Sequence, residues 1–188
     1  MKTTKRKFKN KVSIAQCLGH SSHHTHQLKP FEQLYHHVMN KLILERNIIT
    51  PEVIDPFARC CLWGTQRNDI NPAFLEQYTT HNKDALEFLC DIPSNSSDLV
   101  LFDPPFSNRQ SDEEYGTSNL YTQPGYVVDL GLQCFRILKL NGYMIKCGYN
   151  TNSPYKGFEL IHVKVCQMGA SRNDILMSLW QKKQQTLN

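Results

Sequence analysis

The chain has no apolar run near the roughly 18 residues needed to cross a bilayer, so no membrane-spanning helix is expected. It has no C-x-x-C pair. Its seven cysteines are odd in number and scattered, apart from the adjacent Cys60 and Cys61. That pattern argues against a disulfide framework and against a zinc site of standard ligand spacing. The thiols read as reduced and mostly buried, and no metal site is expected. The H-x-E and P-C-x-x-C ligands of a zinc deaminase are missing as well. The N-terminus is basic, but no apolar stretch follows it, so it is not a secretory signal. The expected setting is intracellular: cytoplasmic, or nuclear in a eukaryote.

What is present suits one domain. There are 188 residues, 40% of them hydrophobic, which allows a single sizeable core. The net charge of +4 is mild, but its distribution is uneven. Lys2, Lys5, Arg6, Lys7, Lys9 and Lys11 fall within the first eleven residues, with no acid among them. Such an arm suits phosphate binding or a nuclear address, and equally a solvated tail. His20, His23, His24 and His26 follow, without a periodic apolar partner or an acidic or cysteine companion. Residues 1–28 therefore read as a basic, histidine-rich flexible leader, and residues 29–188 as the domain.

A helix is predicted from Pro30, because proline at the first helical position loses no hydrogen bond. Phe31, Leu34, Tyr35, Val38 and Leu42 recur at helical spacing, and the helix should stop near Asn47. Short strands are predicted at Val53 to Asp55, Thr65 to Asp69, Tyr78 to His81 and Asp98 to Asp103. The last is apolar throughout its middle, as in a parallel strand covered on both faces. A second helix runs from about Gly125 to Leu140, with Asn141-Gly142 as its cap. Tyr143 to Cys147 is a further strand, and Phe158 to Cys166 and Asp174 to Gln181 suit an antiparallel pair. This alternation predicts a three-layer α/β sandwich.

Asp103-Pro104-Pro105-Phe106 closes the most apolar strand. In a doubly wound sheet, ligands gather at the carboxyl ends of the strands. Two prolines fix φ and keep the Pro104 carbonyl out of regular pairing. The Asp103 carboxylate and the Pro104 carbonyl then form two acceptors aimed at one region, with Phe106 as an aromatic face beside them. An exocyclic amine on a base is their natural partner, since it donates two hydrogens. Holding both pulls the nitrogen toward tetrahedral geometry and frees its lone pair for attack. Phe106 would stack on a base taken out of its helix. The alternative is a strand-ending turn whose prolines merely stop pairing.

D-P-P-F after an apolar strand resembles the catalytic motif of S-adenosylmethionine-dependent amino methyltransferases. Val53-Ile54-Asp55-Pro56-Phe57-Ala58 resembles the V-L-D-P-F-A that opens their cofactor motif. Asn68 to Pro72 resembles the D-x-N-P after the second strand, and His26 to Leu34 resembles their motif X. The order, with motif X before the cofactor strand and the catalytic motif last, looks most like DNA N6-adenine methyltransferases.

The resemblance implies a Rossmann-like class I methyltransferase fold with a mostly parallel seven-stranded sheet. It implies S-adenosylmethionine as cofactor and a nucleic acid as partner, DNA first and structured RNA second. By resemblance, Asp55, Pro56, Phe57 and Ala58 would lie against the methionine part of the cofactor. Asp69 would hold the ribose, Asp84 the adenine amine, and Lys29 and Pro30 would help seat the far end. Asp103 would border the cofactor as well as the base. Asp84 also suits the cap of a helix starting at Ala85, and Asp69 a turn.

The chain departs from this family at one place. A glycine-rich turn and full helix should follow D-P-F-A. Arg59-Cys60-Cys61-Leu62-Trp63-Gly64 stands there instead, with no room for that helix. Trp63 would either cover the cofactor or fill the gap. The polar segment from Ser107 to Gln123, with Arg109, Tyr115 and Tyr121, would have to read the substrate. So small a reader suggests a partner subunit or a homodimer. A catalytically silent nucleic-acid-binding module is the alternative from a different class.

Overall fold

The computed structural model describes residues 11–16, 24–105, 123, 125–168 and 173–183. Seven strands form one sheet: β1 (Lys11–Gln16), β2 (Val53–Asp55), β3 (Gln66–Arg67), β4 (Ser97–Phe102), β5 (Leu138–Gly148), β6 (Phe158–Gln167) and β7 (Ile175–Lys182). Their order is β1-β6-β7-β5-β4-β2-β3. β7 runs antiparallel to β5 and β6, and every other pairing is parallel.

Among the described residues, three α-helices cover the sheet: α1 (Lys29–Asn40), α2 (Ala85–Asp91) and α3 (Tyr126–Ile137). β4 shows why the chain makes three layers. All six of its residues are buried. Leu99 and Leu101 meet Phe31, Leu34, Val38 and Leu42 of the α1 layer. Val100 and Phe102 meet Phe88, Leu89, Leu130 and Cys134 of the α2–α3 layer. A strand buried on both faces must be apolar on both, hence its continuous run.

Several elements differ from the sequence reading. Residues 11–16, read as part of a flexible leader, form edge strand β1 beside β6. The alternation Val12-Ser13-Ile14 supplies the two-residue period, and Ser13 Oγ bonds His162 Nε2 at 3.1 Å. Thr25 and Leu28 are buried too, so the folded unit reaches back into the segment read as leader.

Tyr78 to His81 is not a strand. Asn68 and His81 form one isolated bridge, and the N–H groups of Thr80 and His81 both turn back to the Arg67 carbonyl. α3 ends at Ile137, before the predicted Asn141-Gly142 cap. Asn141 instead bends β5 from a left-handed conformation at φ 62°, where the register with β4 shifts. α1 continues through a wider π-type turn at Lys41–Glu45. The chain leaves it near Asn47, which is also left-handed.

Among the described residues, no helix is long and apolar enough to cross a membrane.

Candidate active site

From β2 the chain steps outward to β3, then returns to β4 on the other side of β2. This reversal opens a crevice outside the carboxyl ends of β2 and β4, the usual ligand site of such sheets. Asp55 ends β2, and Asp103 directly follows β4. Both line a cleft of about 480 Å³, counted with its open mouth. Pro104, Pro105, Phe57, Ala58, Arg59 and Cys61 line it too. His24, Thr25, His26 and Phe31 form the wall on the α1 side.

Asp55 is 3% exposed, and its Oδ1 accepts the Phe57 N–H at 3.2 Å. Burial raises its pKa from 3.8 to about 8, against the Phe57 bond and the Cys61 thiol. The negative charges of Asp103 and Asp69 act in the same direction as burial. Burial therefore favours the protonated form of Asp55 at neutral pH.

Two buried thiols support the acids. Cys61 donates to Asp55, and Cys147, at the end of β5, donates to Asp103. Burial first, and the neighbouring carboxylates next, raise both thiols. They are donors here, not nucleophiles. On the opposite wall, burial and the charges of His24 and Arg59 push His26 down to about 4, so it is neutral at pH 7.

The loop after Asp55 is pinned without a helix. Ala58 N–H donates to the Asn68 carbonyl at 2.8 Å, and Cys61 N–H to the Ala58 carbonyl at 2.7 Å. Thr65 closes it on Val53 through both its backbone and its hydroxyl. Trp63 is half-buried against the core on the α1 side. Its ring lies 4.6 Å from Tyr35 and 5.5 Å from Phe31, and its carbonyl accepts the Tyr35 hydroxyl. It packs on α1 and is not part of the cleft lining.

The structure gathers Asp55, Phe57, Ala58, Asp103, Pro104 and Pro105 at one cleft, with Pro56 buried just behind. Asp69 is 1% exposed and faces the loop. Its Oδ1 accepts from Asn71 N–H at 2.8 Å and its Oδ2 from Arg59 N–H at 3.1 Å. Asp84 caps α2 through Leu86 and Glu87 N–H, and its Oδ2 accepts the Tyr126 hydroxyl at 2.7 Å. Lys29 and Pro30 open α1 but do not line the cleft; Phe31 does. Phe106, Arg109, Tyr115 and Tyr121 lie outside the described residues, as do Lys2 to Lys9, His20 and His23.

Along the sequence His24 is one of a run of histidines without a companion ligand, and Arg59, Cys61 and Cys147 carry no motif of their own. The signal for Cys147 was its place at the end of the strand that follows the Asp103 strand in the α/β alternation.

No protein-family model matches the chain, and no curated protein matches it. Solved structures do. One is yhhF of Escherichia coli, named as a methyltransferase. It is 13% identical over 80% of this chain and 86% of its own, at a TM-score of 0.51. Another is TrmN of Thermus thermophilus, 16% identical over 77% of this chain, at 0.52. The fold is the Rossmann-like class I methyltransferase fold. This chain spans about half the length of TrmN, with 48% of that chain covered.

Proposed function

We propose that this chain transfers a methyl group from S-adenosylmethionine to the exocyclic amine of a nucleic-acid base, adenine N6 in DNA first. The observation that carries the reading is the meeting of Asp103-Pro104-Pro105 with Asp55 at the switch-point cleft. The donor set suits the cofactor. Its sulfonium and ammonium are cations, and two carboxyl groups, Asp103 and Asp55, face the cleft between the aromatic walls of Phe31 and Phe57; a cation beside Asp55 favours its ionised form. Asp55 would hold the amino-acid end. Asp69 and Asp84 are the candidates for the ribose and adenine ends; each carboxylate also holds the backbone that carries it.

When bound, the cofactor supplies an electrophilic methyl on sulfur. Asp103 and the Pro104 carbonyl accept the two amine hydrogens and orient the nitrogen lone pair. The Cys147 thiol helps fix Asp103 by donating a hydrogen bond to its carboxylate. No strong base is required, because the alkylated nitrogen becomes acidic and sheds its proton. Pro104 and Pro105 lack N–H groups, so the turn offers acceptors without competing donors. Phe106 supplies the stacking face for the base.

DNA is favoured because motif X and Asp55-Pro56-Phe57-Ala58 resemble the DNA enzymes most. Structured RNA is the alternative. The test is incubation with methyl-labelled cofactor and either duplex DNA or folded RNA, followed by nucleoside mass spectrometry. N6-methyladenine in DNA is expected. Methylation of RNA alone would shift the substrate class. Cofactor and nucleic-acid binding with no transfer to either would favour the silent module.

A further inference from the structure

The shortened loop after Asp55 carries a side chain where a glycine would be the easiest fit. Arg59 sits at φ 48°, a left-handed conformation that crowds any Cβ and suits glycine. The structure over-determines it. Asp69 Oδ2 takes the Arg59 N–H at 3.1 Å, and the same carboxylate holds the Asn71 N–H at 2.8 Å. Arg59 Cζ lies 6.0 Å from the Phe74 ring centroid. Strain of this kind, held by neighbours, gathers where a side chain serves a ligand.

Charge narrows the ligand. Arg59 lines the cleft with Asp55 and Asp103. His26 is neutral at pH 7. Among the described residues lining the cleft, Arg59 is the one permanent cation. A cleft with Asp103, an Asp55 that a neighbouring cation can ionise, and one guanidinium suits a ligand carrying cationic groups and a single anion. The guanidinium's planar fork matches a carboxylate through two parallel hydrogen bonds.

We propose that Arg59 binds the α-carboxylate at the methionine end of the cofactor, taking the role that backbone N–H groups of a glycine-rich turn would otherwise fill. This rests on the reading that S-adenosylmethionine occupies the cleft. It assigns the amino-acid end to a side chain rather than to loop backbone. Affinity should then depend on the carboxylate itself.

The test is calorimetric titration of the full chain and its Arg59→Gly and Arg59→Lys variants. The probes are S-adenosylmethionine and its decarboxylated analogue. Glycine suits the left-handed position, so the first variant should fold, which circular dichroism checks. The wild type should prefer the carboxylate-bearing ligand. Arg59→Gly should weaken that ligand roughly ten- to hundredfold and leave the analogue nearly unchanged, as expected for a charge-assisted hydrogen bond. Arg59→Lys should recover part of the preference.

Equal losses for both ligands in Arg59→Gly would overturn the proposal. So would unchanged affinity for both, including the case where only DNA binding weakens, which would assign the cation to phosphate. Failure of the wild type to bind either ligand would overturn the cofactor reading itself, and the Arg59 proposal with it.

Discussion

Replacing Asp55 with asparagine should change how stability depends on pH. In the folded protein burial raises the Asp55 carboxyl from 3.8 to about 8. Between those values the unfolded chain has released this proton and the folded chain still holds it. The unfolded state thus binds fewer protons, and stability falls as pH rises from about 4 to about 8. Keeping Asp55 protonated at pH 7 costs about 4 kcal/mol relative to strong acid, and the change between about pH 5 and pH 7 is about 3 kcal/mol.

Asparagine has nearly the same shape, can still accept the Phe57 N–H, and does not titrate. His26 works in the opposite direction. Its lowered pKa makes the folded protein lose stability as pH falls from 6.5 toward about 4. That contribution is present in both proteins and cancels in their difference. The assay is urea unfolding of wild type and Asp55→Asn at the two pH values. The advantage of the variant over the wild type should grow by about 3 kcal/mol between about pH 5 and pH 7. Parallel curves would mean that Asp55 is already ionised in the fold, and the account of the cleft as a desolvated site would be wrong.

Three other predictions concern packing and base capture. Trp63→Ala should lower stability by about 2–4 kcal/mol, because the ring packs against Tyr35 and Phe31; urea unfolding reads this directly. Gly131→Ala should destabilise by about 1–3 kcal/mol despite alanine's better helix propensity. A Cβ there would meet the Pro154 carbonyl oxygen at 2.0 Å, and a neutral or stabilising result would contradict the close approach of α3 to that loop. Phe106→Ala should weaken binding of an adenine-containing oligonucleotide by roughly 1–3 kcal/mol, measured by fluorescence anisotropy, with cofactor affinity unchanged.

Long-period signals were the most legible. The Phe31-Leu34-Val38-Leu42 stripe and the apolar run ending in Asp103 each have one physical solution, and the structure takes it. Asp103 was legible as a cleft residue because it follows an apolar strand, where a sheet of this kind opens its crevice, and Asp55 through the resemblance of Val53 to Ala58 to a cofactor motif.

Short polar elements were not. Tyr78 to His81 has strand-favouring residues, but its N–H groups find partners at Arg67 instead of in a ladder. β1 hides inside a basic segment whose charge argued for solvent. The end of α3 was masked because Asn141-Gly142 reads as a helix cap, whereas Asn141 uses its left-handed conformation to bend a strand. Within the site, Arg59 and Cys147 were missed for one reason. Their meaning depends on what faces them across the cleft, which no spacing along the chain reveals.

The central claim is that Asp103 orients the amine for methyl transfer. Its most direct test is single-turnover methylation of an adenine-containing duplex by wild type and Asp103→Ala, with cofactor affinity measured in parallel by calorimetry. The account predicts transfer to N6 by the wild type, and none by the variant while its cofactor affinity stays within about tenfold, since truncation removes chiefly an interaction made in the reaction, with Asp55 still facing the methyl donor. Sustained N6 methylation by Asp103→Ala would contradict it.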